Sequence, residues 1–372
     1  MNLPVLLQDK KWKVWVLAPS IQTTSDHIDY YYDFSQSIEE YNRVFSALQI
    51  EWVWQLVTMD NFEKIIQSIA EEKNSISLFP IVLNLCDGDE TNGSPGVSII
   101  KCLEKNQLIY TGSDEYFYNI TTSKQPMKLA FDKHQVSSSP WCFINDRNTK
   151  HINFKETIGN TVIVKPSVSG GSMGIGTKNV VESNEELASL VEDLFNGYQG
   201  WNLTVDGLIL ERFINGPEFT VFIIGSYTSP ETATIFDPIE RVFHESLPEH
   251  EKFLSFDRLW EIYETENEMP RSENFYEYQK VSSGLIEKIK KISWGAFVSC
   301  KGIGYTRVDV RMDKSDGKLY VLEVNAQCGL SEDENFTSIG AILKFANISY
   351  TEAIRLILIE AIERHKNLLP NF

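Results

Sequence analysis

The sequence lacks the marks of several protein classes. No apolar run is long enough to cross a bilayer, and Asp9, Lys10 and Lys11 interrupt the amino-terminal segment, so neither a membrane span nor a secretory leader is expected. The five cysteines among 372 residues are scattered without CxxC spacing, which disfavours a disulfide framework and a zinc site. Basic residues are outnumbered, 34 against 52 acidic ones, and the net charge of −18 disfavours nucleic acid as a partner. We therefore expect a cytoplasmic protein that acts on small molecules.

Strand-like and helix-like segments alternate through the first part of the chain. The β-rich runs are 14–17, 52–57 and 77–83, and the helical patterns are 37–48 and 62–71. This alternation predicts a parallel α/β lobe. The Asp-, Gly- and Asn-rich stretch 84–96 follows a buried-looking strand, so we expect it to be a loop at the carboxyl end of the sheet, where ligands bind.

The rest of the chain predicts a mixture of helices and strands. We expect a helix at 121–134, a strand at 161–165, a hairpin or bent strand at 208–224, an antiparallel hairpin at 307–325 and a closing helix at 351–365. Residues 230–271 show no clean period and predict a large loop. The predicted class is α/β, with α+β character in the later lobes, and the predicted divisions are 1–118, 119–207 and 208–372.

Asp309, Glu323 and Asn325 are candidate metal ligands. Side chains alternate along a strand, so Arg307 and Asp309 share one face, as do Glu323 and Asn325 on the partner strand. If the two polar faces coincide, two carboxylates and an amide gather beside a cation. Oxygen ligands without His or Cys suit Mg²⁺. The alternative is the solvated face of an amphipathic hairpin.

A glycine-rich loop follows a strand that ends in Lys165. Its glycines allow consecutive backbone N–H groups to turn toward an anion, and Lys165 supplies a point charge. The spacing matches neither a Walker A loop nor a dinucleotide fingerprint, and a flexible linker is the alternative. Further on, Glu211 and Glu218 flank a short strand and turn. Such carboxylates accept hydrogen bonds from ribose hydroxyls or an adenine amino group, unless both simply lie at the surface.

In their order along the chain, these segments resemble D-alanine:D-alanine ligase and its ATP-grasp relatives. The resemblance rests on Lys124, on the motifs that begin at Val164, Leu210, Gly304 and Leu322, and on Tyr110-Thr111-Gly112-Ser113. It implies an ATP-grasp fold behind an amino-terminal parallel α/β domain. It also implies an ADP-forming ligase that activates a small carboxylate, such as an amino acid, as an acyl phosphate and joins it to an amine.

The resemblance further implies roles for single residues. Arg307 would stabilise charge on the acyl phosphate and the tetrahedral intermediate. Gly171 and Ser172 are the other catalytic candidates, because the family's catalytic-site serine position falls on Gly171 and Ser172 is the next residue. Two Mg²⁺ ions, or Mn²⁺ in their place, would bind Asp309, Glu323 and Asn325. The ATP contacts implied are Lys124 and Lys165 at the phosphates, Gly170 and Gly174 in the cap, Glu211, Phe213 and Ile214 at adenine, and Glu218 at the ribose.

The amino-acid sites depart from the family pattern. The family's amino-terminal GGxSxEHxVS segment is absent, and Asp33 is the candidate replacement for its glutamate. At the acceptor end, Gly329 precedes three acids that end at Glu334, in the segment that receives a carboxylate in the family. Like charge would repel that carboxylate, so we expect a cationic amine or one without a nearby carboxylate, unless the acids face solvent at a helix start. Arg258 is the candidate for the family's lid-side cation at the γ-phosphate, and Cys328 is expected to pack or to contact substrate rather than act as a nucleophile.

Other functions stay open beside this one. They are a genuine D-alanine:D-alanine ligase, an inactive ATP-binding regulatory module, and a kinase on the same fold. The intact set of Arg307, Asp309, Glu323 and Asn325 disfavours an inactive module. The resemblance also makes a homodimer the expected assembly.

Overall fold

The computed structural model describes residues 12–21, 33–73, 79–197, 202–261, 266–269 and 273–368. The predictions about Asp9 to Lys11, about the start of the strand at 77 and about parts of the 230–271 loop lie outside these residues. None of the helices in the described ranges has the length and apolar character needed to cross a membrane.

The first sheet is parallel, as predicted. Its order is β2-β1-β3-β4, with β1 (Trp12–Pro19), β2 (Glu51–Val57), β3 (Phe79–Asn84) and β4 (Ile109–Tyr110). Helices α1 (Ser35–Leu48), α2 (Phe62–Glu72) and α3 (Val97–Lys105) alternate with these strands along the chain. Every residue of β3 is buried, which is typical of a parallel strand covered on both faces.

The helix predicted at 121–134 is wrong in its start and its continuity. The structure has α4 (Glu115–Thr122) and α5 (Lys124–Lys133), separated by Ser123 in an extended conformation. Ser123 forms a β-bridge with Val168, and the Lys124 N–H donates to the carbonyl of Ser167 at 2.8 Å. This long-range pairing interrupts the helix and places Lys124 against the glycine-rich loop.

The second sheet is antiparallel and has the order β5-β8-β6-β7. It comprises β5 (Trp141–Ile144), β6 (Val162–Pro166), β7 (Val180–Val181) and β8 (Leu208–Arg212), with α6 (Phe154–Thr157) and α7 (Asn184–Phe195) beside it. Because β8 belongs to this sheet, the sheet extends beyond residue 207, where the sequence places a division.

The third sheet has the order β12-β11-β9-β13-β14, with β10 on β9. Its strands are β9 (Glu218–Ser226), β10 (Thr234–Ile235), β11 (Ile239–Phe243), β12 (Tyr276–Lys280), β13 (Ile303–Met312) and β14 (Leu319–Ala326). The helices of this region are α8 (Phe256–Trp260), α9 (Ser283–Ser299), α10 (Ser338–Ala346) and α11 (Tyr350–Arg364). The hairpin of β13 and β14 and the closing helix are confirmed.

The structure decides between two alternatives at 208–224 and corrects one prediction. The hairpin does not form, because β8 and β9 pair in different sheets and the bend between them crosses from one sheet to the other. The predicted loop at 230–271 contains β10, β11 and α8. β11 alternates buried Ile239, Arg241 and Phe243 with half-buried residues, and the arginine in the buried set hides this pattern in the sequence.

The first and third sheets share one hydrophobic core, which includes Val14, Tyr305 and Ile354. At its edge Gly304 has φ +82°, and a Cβ there would lie 2.1 Å from the carbonyl oxygen of Gly112, so only glycine fits. This close contact holds the carboxyl end of the parallel sheet against the third sheet.

Candidate active site

Asp309, Glu323 and Asn325 come together on the β13–β14 hairpin. Asp309 lies opposite Glu323, and Arg307 opposite Asn325. The Asn325 Nδ2 atom is 3.2 Å from Asp309 Oδ2 and 3.3 Å from Glu323 Oε1. Arg307 Nε donates to both oxygens of Asp309 at 3.1 Å, and Thr220 Oγ1 donates to Oδ1 at 2.7 Å. Asp309 is buried, so this is not the solvated face of a hairpin.

These groups fit a hard divalent cation. No group of three His, Cys, Asp or Glu side chains able to hold a metal occurs in the described residues. A metal bound by the two carboxylates would therefore need the amide and non-protein ligands to complete its coordination. Mg²⁺ bound together with phosphate oxygens has this pattern. Burial opposes the charge of Arg307, but Asp309 and Glu323 more than offset burial and raise its pKa, so the guanidinium stays cationic.

Lys124 and Lys165 bring positive charge to the same cavity. Lys124, at the start of α5, is buried and donates from Nζ to Ser169 Oγ at 3.2 Å. Burial lowers its pKa, with Glu323 opposing the shift. Lys165, on β6, pairs with Glu211 at 2.6 Å, and this carboxylate raises the pKa of Lys165 although burial works against it.

The loop after Lys165 turns tightly over the cavity. The Met173 N–H donates to Gly170 O at 3.0 Å, and the Ile175 N–H donates to Ser172 O at 2.9 Å. Gly171 and Ser172 have φ values of +54° and +63°. Successive backbone N–H groups in a tight turn can form a concavity that binds anions.

Lys128, which sequence interpretation missed, lies behind the cavity wall and supports Glu211. Its Nζ lies 2.5 Å from Glu211 Oε2, to which Ser139 Oγ also donates at 2.6 Å. Burial alone would raise the pKa of Glu211, but Lys128 and Lys165 hold it well below its usual range. The signal was available, because Lys128 lies one helical turn after Lys124 on the same face.

Glu218, the first residue of β9, lies between two arginines. Arg241 on β11 and Arg311 on β13 both lie opposite it in the sheet, and both form ion pairs with it. Arg311 also donates to the carbonyl oxygen of Ile214 at 3.1 Å. All three charged side chains are buried, so the predicted ribose carboxylate is fixed in direction by its neighbours.

The segment around α8 closes over the glycine-rich loop. Trp260 Nε1 donates to Gly171 O at 2.9 Å, and the Phe256 N–H donates to Ile175 O at 2.8 Å. Glu266 Oε1 accepts from the Thr177 N–H at 2.7 Å. Segment and loop therefore form one lid.

Arg258 does not serve this cavity. Its guanidinium is buried behind the lid, 2.6 Å from Glu251 Oε2 and 3.5 Å from Glu266 Oε2, and it does not line the cavity. The carboxylates attract it into the lid interior, which corrects its predicted position at a phosphate.

The predicted amino-acid contacts are also displaced. Asp33 is exposed and accepts from the Ser35 N–H at 3.0 Å where α1 begins. Glu334 is exposed and pairs with Lys344 at 2.6 Å, and Glu332 pairs with Arg43. Neither Asp33 nor these acids line the cavity, because local partners hold them at the surface. Gly329 does line it.

Cys328 is unsuited to nucleophilic chemistry. All five cysteines are free, and burial, reinforced by Asp309 and Asp87 against Arg307, raises the pKa of the Cys328 thiol to about 12. A thiol in this state is hardly ionised at neutral pH. The expectation that Cys328 packs is consistent with this environment.

One cavity of about 1070 Å³ unites these groups. Of the predicted residues, Gly174 joins Asp33, Arg258 and Glu334 in not lining it. A Cβ at Gly174, where φ is +71°, would lie 2.8 Å from Leu203, so this glycine permits close packing beneath the loop. The predicted residues on the wall are Lys124, Lys165, Gly170, Gly171, Ser172, Glu211, Phe213, Ile214, Glu218, Arg307, Asp309, Glu323, Asn325 and Gly329. Residues on the wall that sequence interpretation missed include Asp87, Tyr118, Arg241, Trp260, Tyr276 and Tyr278.

Known proteins resemble this chain in sequence and in fold. A sequence model of the family described as D-ala D-ala ligase C-terminus matches residues 132–358. The D-alanine--D-alanine ligase of Borreliella burgdorferi is 27% identical over 224 residues, which cover 58% of this chain and 55% of that protein. D-alanine--D-alanine ligase A of Bacillus cereus is 22% identical over 256 residues, covering 69% of this chain and 73% of that protein. The chain thus spans about half the length of the first of these relatives.

Solved structures share the fold over nearly the whole chain. The D-alanine--D-alanine ligase of Bacillus anthracis complexed with ATP has a TM-score of 0.64 at 17% identity, covering 95% of this chain and 99% of that one. The VanG D-Ala:D-Ser ligase of Enterococcus faecalis has a TM-score of 0.65 at 13% identity, covering 96% and 100%. The parallel first sheet and the two later sheets are therefore those of an ATP-grasp fold.

Proposed function

Because this chain belongs to the D-ala D-ala ligase C-terminus family, we propose that it is an ATP- and Mg²⁺-dependent, ADP-forming ligase. It would activate a small carboxylate, an amino acid by analogy with its relatives, as an acyl phosphate and join it to an amine. One observation carries the proposal: the oxygen ligands Asp309 and Glu323 share a cavity with Lys124, Lys165 and the glycine-rich loop. Phosphoryl transfer needs this combination of positioning and charge neutralisation.

We propose that the nucleotide base occupies an apolar part of the cavity. Phe213 and Phe253 form a T-shaped pair with ring centroids 5.9 Å apart, next to Ile163. Glu211 and Glu218 lie on the same cavity wall and offer acceptors for the adenine amino group and the ribose hydroxyls. Their lysine and arginine partners orient both carboxylates.

The remaining residues then act on the phosphates and the reacting carbonyl. Asp309, Glu323 and Asn325 would hold two Mg²⁺ ions. When bound, these ions neutralise phosphate oxygens. Lys124 and Lys165 bind phosphate oxygens, and the lid of α8 and the glycine-rich loop excludes water. Arg307 stabilises negative charge on the acyl phosphate and the tetrahedral intermediate.

A genuine D-alanine:D-alanine ligase is the second candidate. The acids near Glu334 are held at the surface by Arg43 and Lys344, so their charge does not bar a carboxylate from the cavity. The reason for preferring a cationic amine is thereby removed. The homodimer and the three divisions of the chain expected from the sequence stay part of the proposal, to be tested by light scattering and limited proteolysis.

Product analysis tests the reaction class. The full chain with ATP and MgCl₂ is offered amino acids, D-alanine among them, with and without hydroxylamine. A ligase releases ADP and phosphate and yields an acyl hydroxamate, because hydroxylamine traps only an activated carboxylate. ADP release with a stable phosphorylated product and no hydroxamate would identify a kinase. Absence of ATP binding would overturn the proposal.

A further inference from the structure

Asp87 projects into the cavity from the loop that follows β3. Its side chain is exposed to the cavity, and the backbone on both sides of it is anchored. Gln327 Nε2 donates to Cys86 O at 2.9 Å, and Tyr118 OH donates to Gly88 O at 2.7 Å. These two bonds fix the backbone from which the Asp87 side chain enters the cavity.

This carboxylate has no cationic partner among the residues that the structure describes, and its hydrogen bond is to its own N–H. By contrast, Asp309 pairs with Arg307, and Glu211 and Glu218 each pair with two cations. The protein around the cavity desolvates the Asp87 carboxylate and raises its pKa to about 6, so it is mainly ionised at neutral pH with its charge uncompensated.

Asp87 faces the part of the cavity where the chemistry is proposed. Asp87 lines the same cavity as Arg307 and Asp309, although it follows a strand of the first sheet and the other two lie in the third. The contact of Gln327 with the loop of Asp87 joins the two sheets at this point. A ligand at Arg307 is thus within electrostatic range of Asp87.

We propose that Asp87 binds the ammonium group of the amino acid whose carboxylate is activated. This inference rests on the proposed ligase function and adds the residue that selects an α-amino acid over a simple acid. The amino acid that is activated keeps its ammonium group charged throughout the reaction, whereas the attacking amine must lose a proton. A fixed carboxylate therefore suits the ammonium group of the activated amino acid. Asp33, which the sequence predicts for this role, lies outside the cavity, so the role is left without its predicted residue.

Steady-state kinetics with hydroxylamine as acceptor test the proposal, because D-alanine is then the only amino acid present. Asp87→Asn is expected to raise KM for D-alanine by roughly tenfold to a hundredfold, the loss of a charged hydrogen bond, with KM for ATP within about twofold. Asp89→Asn is the control in the same loop, since Asp89 already accepts from Asn92 at 2.9 Å. An unchanged KM for D-alanine in Asp87→Asn, or a fall in kcat alone, would overturn the assignment.

Calorimetry separates this inference from the reaction itself. With a non-hydrolysable ATP analogue and Mg²⁺, the wild type should bind D-alanine more tightly than propionate, which lacks the ammonium group, and Asp87→Asn should lose this preference. A wild type without the preference would overturn the role of Asp87. If no hydroxamate forms but the preference is present and depends on Asp87, the ligase function fails while the ammonium site stands.

Discussion

The Nζ atom of Lys128 lies 2.5 Å from Oε2 of Glu211, and the two side chains are only 2% and 3% exposed. Breaking a buried pair leaves an uncompensated charge, so Lys128→Met should lower the free energy of unfolding by about 3 kcal/mol, with Lys165 still beside the carboxylate. Guanidinium chloride denaturation measures this loss. Lys344→Met removes the exposed pair with Glu334 and should cost less than about 1 kcal/mol. Equal losses would show that burial of the Lys128 pair has no consequence.

The metal assignment depends on Glu323. Glu323→Gln keeps the shape of the side chain but removes one hard anionic ligand, so phosphate release should fall by about a hundredfold or more. Circular dichroism should be unchanged, because Glu323 is only half-buried. Asp316→Asn, in the exposed turn of the same hairpin, is the matched control and should retain wild-type turnover. A fully active Glu323→Gln enzyme would contradict the assignment.

Lid closure depends on Trp260. Trp260→Phe keeps an aromatic ring but removes the N–H that donates to Gly171 O, so KM for ATP should rise by roughly two- to tenfold. Trp15→Phe is the control, since it deletes an indole hydrogen bond to Glu72 at the first sheet, outside the cavity, and should leave KM for ATP unchanged. If the two variants behave alike, the lid contact has no part in nucleotide binding.

His365 makes stability depend on pH. Burial, followed by the charge of Arg364, lowers the pKa of His365 from 6.5 to about 4 in the folded protein. The unfolded chain therefore takes up a proton first as the pH falls, and the contribution of neutral His365 to stability, complete above pH 6.5, is lost toward pH 4.

His365→Gln removes this titration. The variant should lose less unfolding free energy than the wild type between pH 7.5 and pH 5, as measured by urea denaturation at both values. The difference between the two proteins isolates His365 from the many carboxylates that titrate in the same range. Parallel pH profiles would show that His365 titrates normally in the folded protein.

Local patterns in the sequence determined much of the fold. The alternation of apolar strands with helices predicted the parallel first sheet, and the two alternating runs near Arg307 and Glu323 predicted their hairpin. These predictions hold because the periodicity of side chains within one element reports which face it buries. The break at Ser123 and the buried strand at Arg241 escaped prediction, because the partners that cause them, Val168 and Glu218, are distant in the chain.

By itself, the sequence determined which chemical groups the protein carries and in what order: the carboxylates of Asp309 and Glu323, the glycine-rich loop and its lysines. Only the tertiary structure decided which charged groups meet at the cavity. It turned Arg258 and Glu334 away toward local partners, and it brought Asp87, which follows a strand of the first sheet, into the same cavity as Arg307 of the third. The physical reason is that an ion pair or a cavity wall depends on distances in space between elements, which no periodicity within one segment encodes.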